Sequence, residues 1–411
     1  MELKNISKTF CAAPFVHMYV AKGEQRICCQ TTEYIPTSSF TELDLEKRWK
    51  SNYYKKIRQQ FLDGEEPVRC TNCFTTEKHN GISDRINYNK KYQDVLLETN
   101  IETGNQYNSP IDLELRPGAL CNLKCRMCGP HSSTQIQKEM GKNPDLFRGY
   151  GPVVEAEEIY SEKNLNFLLK NIDKGKQIKF LGGEPTIMPE VNDILDRLIA
   201  TNNTNNPIHI TTNCTNTTEQ FMNKLKQFTR LSFNYSVDGT GKVVEYIRHP
   251  VKFNTIDSNI RLYSNVVYAK NDNISFAFQA YNLFNLYDTV KWAADIGVLV
   301  YANLVSDPVW CSILCIPKEI RDKELNKTKE LMLNEEYSEW ITDPNTNIIP
   351  AIDRILTDDR EFGLAHLARN TKILDKVRHQ HIKDYIPELW KIIKEEYNKQ
   401  SLEYIHNYTR M

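Results

Sequence analysis

Several features that commonly reveal a protein's partners are missing from this chain. Its 52 Lys and Arg residues are balanced by 53 Asp and Glu residues, which leaves a net charge of −1. That balance excludes a general electrostatic attraction to nucleic acid or to anionic membranes. No run of 18 apolar residues is present, and residues 1–15 lack the apolar core of a signal peptide. We therefore expect a cytoplasmic protein with no membrane or nucleic-acid partner.

Cysteine, in contrast, is abundant. The 411-residue chain contains 11 cysteines, many of them closely spaced. In a chain without an export signal, this spacing predicts metal or cluster ligation and not a framework of disulfides.

Three cysteines, Cys121, Cys125 and Cys128, lie within eight residues, shortly after the strand-like run 112–116. Three thiols cannot all pair as disulfides, and an odd number does not suit a closed zinc site with four ligands. The set does suit a [4Fe–4S] cluster with three protein thiolates, which leaves one iron open. A zinc site completed by a ligand elsewhere in the chain is the alternative.

A second group of cysteines lies in the N-terminal part of the chain. It comprises Cys11, the neighbouring pair Cys28 and Cys29, and the Cys70-x-x-Cys73 motif. These residues are enough for a site of four thiolates, with either Cys28 or Cys29 as the fourth ligand. A structural zinc ion and an iron–sulfur cluster both accept such a site.

Alternating strand and helix patterns fill the middle of the chain. We predict strands at 112–116, 177–181, 208–212, 231–237, 274–280 and 298–304. Six strand–helix units predict an α/β fold, a partial (β/α)6 TIM-like barrel. We divide the chain into a cysteine-rich module (1–108), this barrel (109–315) and a C-terminal helical region (316–411). In barrels of this kind, reactive groups lie at the C-terminal ends of the strands.

Polar and glycine residues follow several of these strands. Gly182 and Gly183 allow a ligand to approach the backbone closely, and Glu184 can accept hydrogen bonds from a cationic amine. Arg248 presents two donors that suit a carboxylate. The other candidates at strand ends are Asn213, Ser236, Asp238 and Gln279. For Ser236, Asp238 and Arg248, a helix cap or a surface ion pair is the alternative role.

The remaining cysteines carry less information. Cys214 follows Asn213 at a strand end, where a role near the chemistry and an inert buried thiol are both open. Cys311 and Cys315 have no third cysteine nearby, so we expect them to serve packing.

The C-x3-C-x2-C motif with Met127 before its last cysteine, followed by Gly182-Gly183-Glu184-Pro185, resembles the signature of the radical S-adenosylmethionine (radical SAM) superfamily. The resemblance implies that Cys121, Cys125 and Cys128 hold a [4Fe–4S] cluster and that SAM binds its open iron. It also implies that Glu184 contacts the amino group of SAM. The implied cofactor-binding set is Met127, Gly182, Gly183, Glu184, Asn213, Ser236, Asp238, Arg248 and Gln279.

The N-terminal cysteines resemble a known auxiliary module. The order Cys11-x-x-Pro14-Phe15, Gly23, Cys28-Cys29 and Cys70-x-x-Cys73 is similar to the SPASM/Twitch segment of radical SAM proteins. The group with an N-terminal Twitch-like module is the nearest match. The resemblance implies a second iron–sulfur cluster held by Cys11, Cys28, Cys70 and Cys73, with Cys29 as the reserve ligand.

The function that follows from this resemblance is reductive cleavage of SAM to methionine and a 5′-deoxyadenosyl radical. That radical removes a hydrogen atom from a substrate, which we expect to be a peptide or a small metabolite. An electron donor such as flavodoxin or ferredoxin is the implied partner, and no catalytic protein residue is identified. The competing hypothesis is a zinc- or cluster-binding scaffold without turnover.

Overall fold

The computed structural model describes residues 7–21, 24–31, 35–36, 44–78, 82–97, 109–147, 160–266, 272–334, 338–343 and 346–400. The chain folds into two compact units. The first comprises Met1–Gly118, Val154–Ile210 and Gln227–Leu231, and the second comprises Ala119–Val153, Thr211–Lys226 and Ser232–Met411. The three-part division made from the sequence stays a prediction.

The strands are β1 (His17–Ala21), β2 (Glu24–Gln25), β3 (Ile35–Pro36), β4 (Asp112–Arg116), β5 (Gln177–Phe180), β6 (Ile208–Thr212), β7 (Leu231–Ser236), β8 (Asn273–Phe278) and β9 (Leu299–Leu304). The helices are α1 (Ala13–Val16), α2 (Leu45–Trp49), α3 (Asn52–Leu62), α4 (Thr71–Lys78), α5 (Asp84–Leu97), α6 (Thr134–Lys142), α7 (Glu162–Leu168), α8 (Pro189–Ala200), α9 (Glu219–Leu225), α10 (Gly241–Ile247), α11 (Phe253–Val266), α12 (Leu286–Asp295), α13 (Lys318–Asn334), α14 (Ser338–Ile341), α15 (Ile348–Leu356), α16 (Leu364–Arg378) and α17 (Pro387–Lys399).

The sheet of the first unit has the order β3-β2-β1-β4-β5-β6. Strands β1, β4, β5 and β6 are parallel, with register pairs that include His17↔Asp112 and Ile178↔Ile208. The short strands β2 and β3 pair antiparallel. In the second unit, β7, β8 and β9 are parallel neighbours. In neither unit do the strands of the described ranges close into a ring, and the predicted α/β class is confirmed.

Alternating side chains at 15–20, a turn at Lys22-Gly23 and a second run at 25–29 predict an N-terminal hairpin, and this prediction is only partly correct. The predicted strand began at Phe15, but Ala13–Val16 is a helix with Pro14 in its first turn, where proline's fixed φ favours helix initiation. Every residue of β1 is buried, so period-2 alternation carried no information there. Its long partner is β4, whereas β2 pairs with it only at Ala21↔Glu24. The predicted turn residues Lys22 and Gly23 lie outside the described residues.

Each unit has an apolar core of its own. In the first, Phe10, Phe15 and Val16 pack with Tyr92 and Leu96 of α5. In the second, aromatic rings of β7 lie against Tyr263 of α11, with the Phe233 and Tyr263 ring centroids 5.0 Å apart. These cores fix the strands at whose ends the candidate residues lie.

The described residues after 316 are mainly helical, and α17 begins at Pro387. Among the described residues, no helix combines the length and the apolar character needed to cross a bilayer.

Candidate functional site

The three clustered cysteines lie on a short loop of the second unit, residues 121–128, which we call the cysteine loop. Cys121 and Cys125 are buried and Cys128 is partly exposed. Ser133 fixes the exit of the loop, because its hydroxyl donates to the Leu123 carbonyl at 2.6 Å while it accepts from the first amides of α6. The end of the loop that carries the three thiols is therefore fixed to the start of α6.

Backbone hydrogen bonds attach both sides of Cys125 to the segment that follows α10. The Lys124 amide donates to the His249 carbonyl at 2.7 Å, and the Arg126 amide donates to the Ile247 carbonyl at 2.8 Å. This pairing places Arg248 beside Cys125, with Nη1 3.9 Å from the sulfur.

Asn213, at the end of β6, contacts the first cysteine of the loop. Its Nδ2 lies 3.9 Å from the Cys121 sulfur and donates to Asn122 Oδ1 at 2.9 Å. Its Oδ1 accepts from the amide and the hydroxyl of Thr215. The side chain is therefore oriented by its neighbours, with a donor directed at the loop.

Arg248 and Asp238 form a buried ion pair, with Nε and Oδ2 2.7 Å apart. Asp238 also accepts a hydrogen bond from the Ala277 amide of β8 at 2.8 Å. Burial disfavours the guanidinium charge, but Asp238 and the thiols of Cys125 and Cys128 hold the pKa of Arg248 above its usual value. The ion pair is buried and not at the surface, and the predicted contacts of Asp238 and Arg248 with SAM stay predictions.

The thiols of the cysteine loop have unequal acidity. A hydrogen bond from Cys128 lowers the pKa of Cys125 despite burial, and Arg248 lowers it further. The same hydrogen bond and burial raise the pKa of Cys128. Cys121 accepts a hydrogen bond from the Leu123 amide at 3.4 Å. N–H donors directed at sulfur stabilise thiolate charge, so this donor set fits an iron–sulfur cluster.

The other predicted cofactor residues of the second unit are Gln279, Ser236 and Met127. Gln279 is fully buried after β8, and its Oε1 has no hydrogen-bond partner among the described residues. Ser236 ends β7 and is partly exposed, as is Met127 within the cysteine loop. Their roles in cofactor binding stay predictions.

Gly182, Gly183 and Glu184 belong to the first unit, where they follow β5. Gly182 has φ +116°, and an added Cβ would lie 3.0 Å from the Gly118 carbonyl oxygen, so only glycine fits there. The Gly183 amide donates to the same carbonyl at 3.0 Å. Glu184 is fully buried and accepts from the Thr186 amide and hydroxyl, which caps the following turn of helix. Its expected contact with SAM stays a prediction.

Cys214 occupies a left-handed backbone conformation, with φ +62°. It is fully buried, and its thiol donates to the Thr212 carbonyl at 3.6 Å. A left-handed φ is a conformation that favours glycine, so the cysteine at this position carries some backbone strain.

The N-terminal cysteines of the first unit line one pocket. Cys11, Cys28, Cys70 and Cys73 all border it, together with Asp84, Arg85 and Tyr88. Cys29 is exposed and is not among the lining residues. Within the described residues, no group of three or more His, Cys, Asp or Glu side chains converges on a single point at metal-binding distance. Cys28, and not Cys29, is the member of the neighbouring pair that borders the pocket, and the ligand set stays a prediction.

Burial dominates the electrostatics of this pocket. Burial raises the pKa values of the Cys11 and Cys28 thiols well above the usual value for cysteine. It raises the pKa of Cys70 to about 12. Neighbouring thiols add to the effect, since Cys70 and Cys73 both raise the pKa of Cys11. Metal binding at such thiols releases protons and is therefore favoured by higher pH.

The sequence did not reveal the ionic contacts that α16 makes with the cysteine loop and with α6. Arg126 donates to Asp375 at 2.7 Å, and Arg378 pairs with Glu139 at 2.9 Å. Arg126, which lies between the candidate ligands Cys125 and Cys128, was the available sequence signal for such a contact. A buried arginine requires a carboxylate partner.

Comparison with known proteins gives one family match, which includes the cysteine loop. The family model of the radical SAM superfamily matches residues 115–274. No curated protein sequence matches the chain. Among solved structures, the chain is similar to Streptococcus suis SuiB bound to S-adenosylmethionine, with 15% identity, a TM-score of 0.37, and coverage of 74% of this chain and 67% of that chain. It is also similar to Streptococcus suis SuiB bound to precursor peptide SuiA, with 13% identity, a TM-score of 0.39, and coverage of 89% and 84%.

A third similar structure is that of TYW1 with a lysine-pyruvate adduct bound, at 15% identity and a TM-score of 0.32, covering 55% of this chain and 74% of that chain. The family assignment rests on the matched residues 115–274, which include the cysteine loop. Residues 115–274 therefore match the radical SAM domain. The radical SAM family implies a [4Fe–4S] cluster and SAM as cofactors.

Proposed function

We propose that Cys121, Cys125 and Cys128 hold the [4Fe–4S] cluster at which this enzyme cleaves SAM. When bound, the cluster supplies the electron that converts SAM into methionine and a 5′-deoxyadenosyl radical. The observation that carries the proposal is the set of three thiols in one loop, with N–H donors from Leu123, Asn213 and Arg248 directed at two of the sulfurs. The substrate from which hydrogen is taken is a peptide or a small metabolite.

The side chains around the cysteine loop have different roles in this proposal. Asn213 and Arg248 orient and stabilise the thiolates of Cys121 and Cys125. Asp238 keeps Arg248 in place through the buried ion pair. Gln279 offers a buried acceptor, its Oε1, for a donor of a bound ligand.

The test is anaerobic reconstitution with iron and sulfide, followed by dithionite reduction in the presence of SAM. We expect iron–sulfide absorbance and formation of 5′-deoxyadenosine without added substrate. The scaffold hypothesis predicts bound metal with SAM left intact, and that result would refute the proposal.

We further propose that Cys11, Cys28, Cys70 and Cys73 hold a second iron–sulfur cluster. The supporting observation is that these four thiols surround one pocket, as the ligands of a multi-iron cluster do. A zinc ion would instead draw four thiolates to one centre at about 2.3 Å.

Iron content distinguishes these possibilities. The wild-type chain is expected to bind about eight irons, and Cys70→Ala about four, with 5′-deoxyadenosine still formed in the variant. Cys29→Ala is the matched control and should retain about eight irons, because Cys29 does not border the pocket. A wild-type content near four iron atoms with about one zinc would identify the zinc site.

A further inference from the structure

The C-terminal helix α16 contacts the cysteine loop through two buried ionic contacts. Asp375 and Arg378 are three residues apart, so they lie on the same face of the helix. Their side chains are 2% exposed, and so are effectively excluded from water. Ionic groups without access to water must have partners, and here those partners come from the loop and from α6.

Asp375 is the acceptor for several donors at once. Arg126 Nη2 donates to its Oδ1 at 2.7 Å, and the Tyr246 hydroxyl donates to the same oxygen at 2.6 Å. Its Oδ2 accepts from the Ile382 amide at 2.9 Å and from the Tyr397 hydroxyl at 3.2 Å. Because both oxygens accept hydrogen bonds, the Asp375 carboxylate is held in one position. It in turn fixes the position of the Arg126 side chain.

Arg126 is held from other directions as well. Its Nε donates to the Tyr246 carbonyl at 3.1 Å, and its guanidinium lies 3.5 Å from the centroid of the Tyr246 ring. Its backbone amide is bonded to Ile247, so the side chain and the main chain fix the residue together. Arg126 immediately follows Cys125.

The residue that precedes Cys125 is held through a second carboxylate. Lys124 Nζ donates to Glu139 Oε1 at 2.8 Å, and Arg378 donates to both oxygens of Glu139 at 2.9–3.3 Å. Glu139 lies on α6 and is almost completely buried. The residues on both sides of Cys125 are therefore connected to α16, one directly and one through Glu139.

We propose that Asp375 and Arg378 are positioning residues of the cluster site. They fix residues 124–126, and so set the position and the electrostatic surroundings of the Cys125 sulfur. This inference rests on the proposed function, because it takes Cys125 as a cluster ligand. It gives the C-terminal region a role in the site, in addition to packing.

Asp375 and Arg378 carry opposite charges, so replacing each of them should change the cluster potential in a way that a simple packing role would not. Asp375→Asn removes a negative charge near the cluster and is expected to favour its reduced state, whereas Arg378→Gln removes a positive charge and favours the oxidised state. We expect shifts in opposite directions, each about tenfold in the ratio of reduced to oxidised cluster, which corresponds to about 59 mV for a one-electron couple. The measurement is a potentiometric titration followed by electron paramagnetic resonance.

A second measurement uses the metal-free protein. The Lys124 and Arg126 amides should exchange hydrogen about tenfold faster in both variants, because their bonds to residues 247–249 lose support. Arg321→Gln is the control, since Arg321 is also fully buried in the second unit but contacts Asp322 and the carbonyls of Asp358 and Arg360. It should leave both the potential and the exchange of these two amides unchanged.

The outcomes separate the inference from the proposed function. Absence of a cluster in the wild-type protein counts against the proposed function, while the exchange measurement still tests the contacts to α16. Unchanged potential and exchange in both variants would overturn the inference. Potential shifts of the same sign in the two variants would also overturn it, since they would indicate general loosening.

Discussion

Cys125→Ala is expected to reduce 5′-deoxyadenosine formation to the level of the reaction without protein. Cys125 is the middle of the three thiols, and both of its neighbours are bonded to residues 247–249. It also has the lowered thiol pKa of the set. Two thiolates are too few to hold a cubane, so iron content should fall by about four per chain.

The matched control for this variant is Cys315→Ser. Cys315 is also buried, and its thiol donates to the Val309 carbonyl at 3.2 Å, a bond that a serine hydroxyl can replace. We expect this variant to retain iron and product formation. If Cys125→Ala matched the wild type in iron content and in 5′-deoxyadenosine, the ligand assignment would be wrong.

Arg248→Met is expected to give the largest loss of stability. It leaves the fully buried Asp238 carboxylate without its cation, and removing one partner of a buried ion pair costs about 3–5 kcal/mol. Urea denaturation of the metal-free protein measures this as a lower free energy of unfolding. The double variant Arg248→Met, Asp238→Asn should recover part of the loss, since asparagine is neutral and still accepts from the Ala277 amide.

Arg261→Met provides the comparison at the surface. Arg261 pairs with Asp257 at 3.1 Å, but its side chain is 52% exposed. Exposed pairs contribute about 0–1 kcal/mol, so this variant should unfold nearly as the wild type does. Equal losses in the two arginine variants would show that burial does not control the strength of the Arg248 pair.

Strand positions were largely predictable from the sequence, and long-range contacts were not. The predicted strands at 112–116 and 208–212 match β4 and β6 in both bounds, because turn residues bracket them. Cys121, Cys125 and Cys128 could be proposed as ligands from their spacing and the family resemblance, since cluster ligation imposes a local spacing, and that assignment stays a prediction. The contact of Arg126 with Asp375 joins residues 249 positions apart. Neither residue type nor local periodicity specifies which carboxylate a buried arginine meets.

The helix near the N-terminal cysteines shows the same limit on a smaller scale. In the sequence, Trp49, Tyr53, Ile57 and Phe61 recur every four residues, which predicts one amphipathic helix with all four on the same face. Trp49 instead ends α2, and the buried ring of α3 is Tyr54, whereas Tyr53 is partly exposed. Asp44 and Ser51 cap the two short helices, and those caps decide the boundary more strongly than the apolar spacing does.

The turn at Cys214 has a consequence for how freely that position can vary. A non-glycine residue with left-handed φ costs about 1–2 kcal/mol. Glycine avoids that cost but loses about 0.5–1 kcal/mol through the greater freedom of its unfolded chain. The hydrogen bond from the Cys214 thiol to the Thr212 carbonyl reduces the remaining free-energy difference between cysteine and glycine. Exchange between cysteine and glycine is therefore nearly neutral for the fold, and mutational drift at this site is open to both residues.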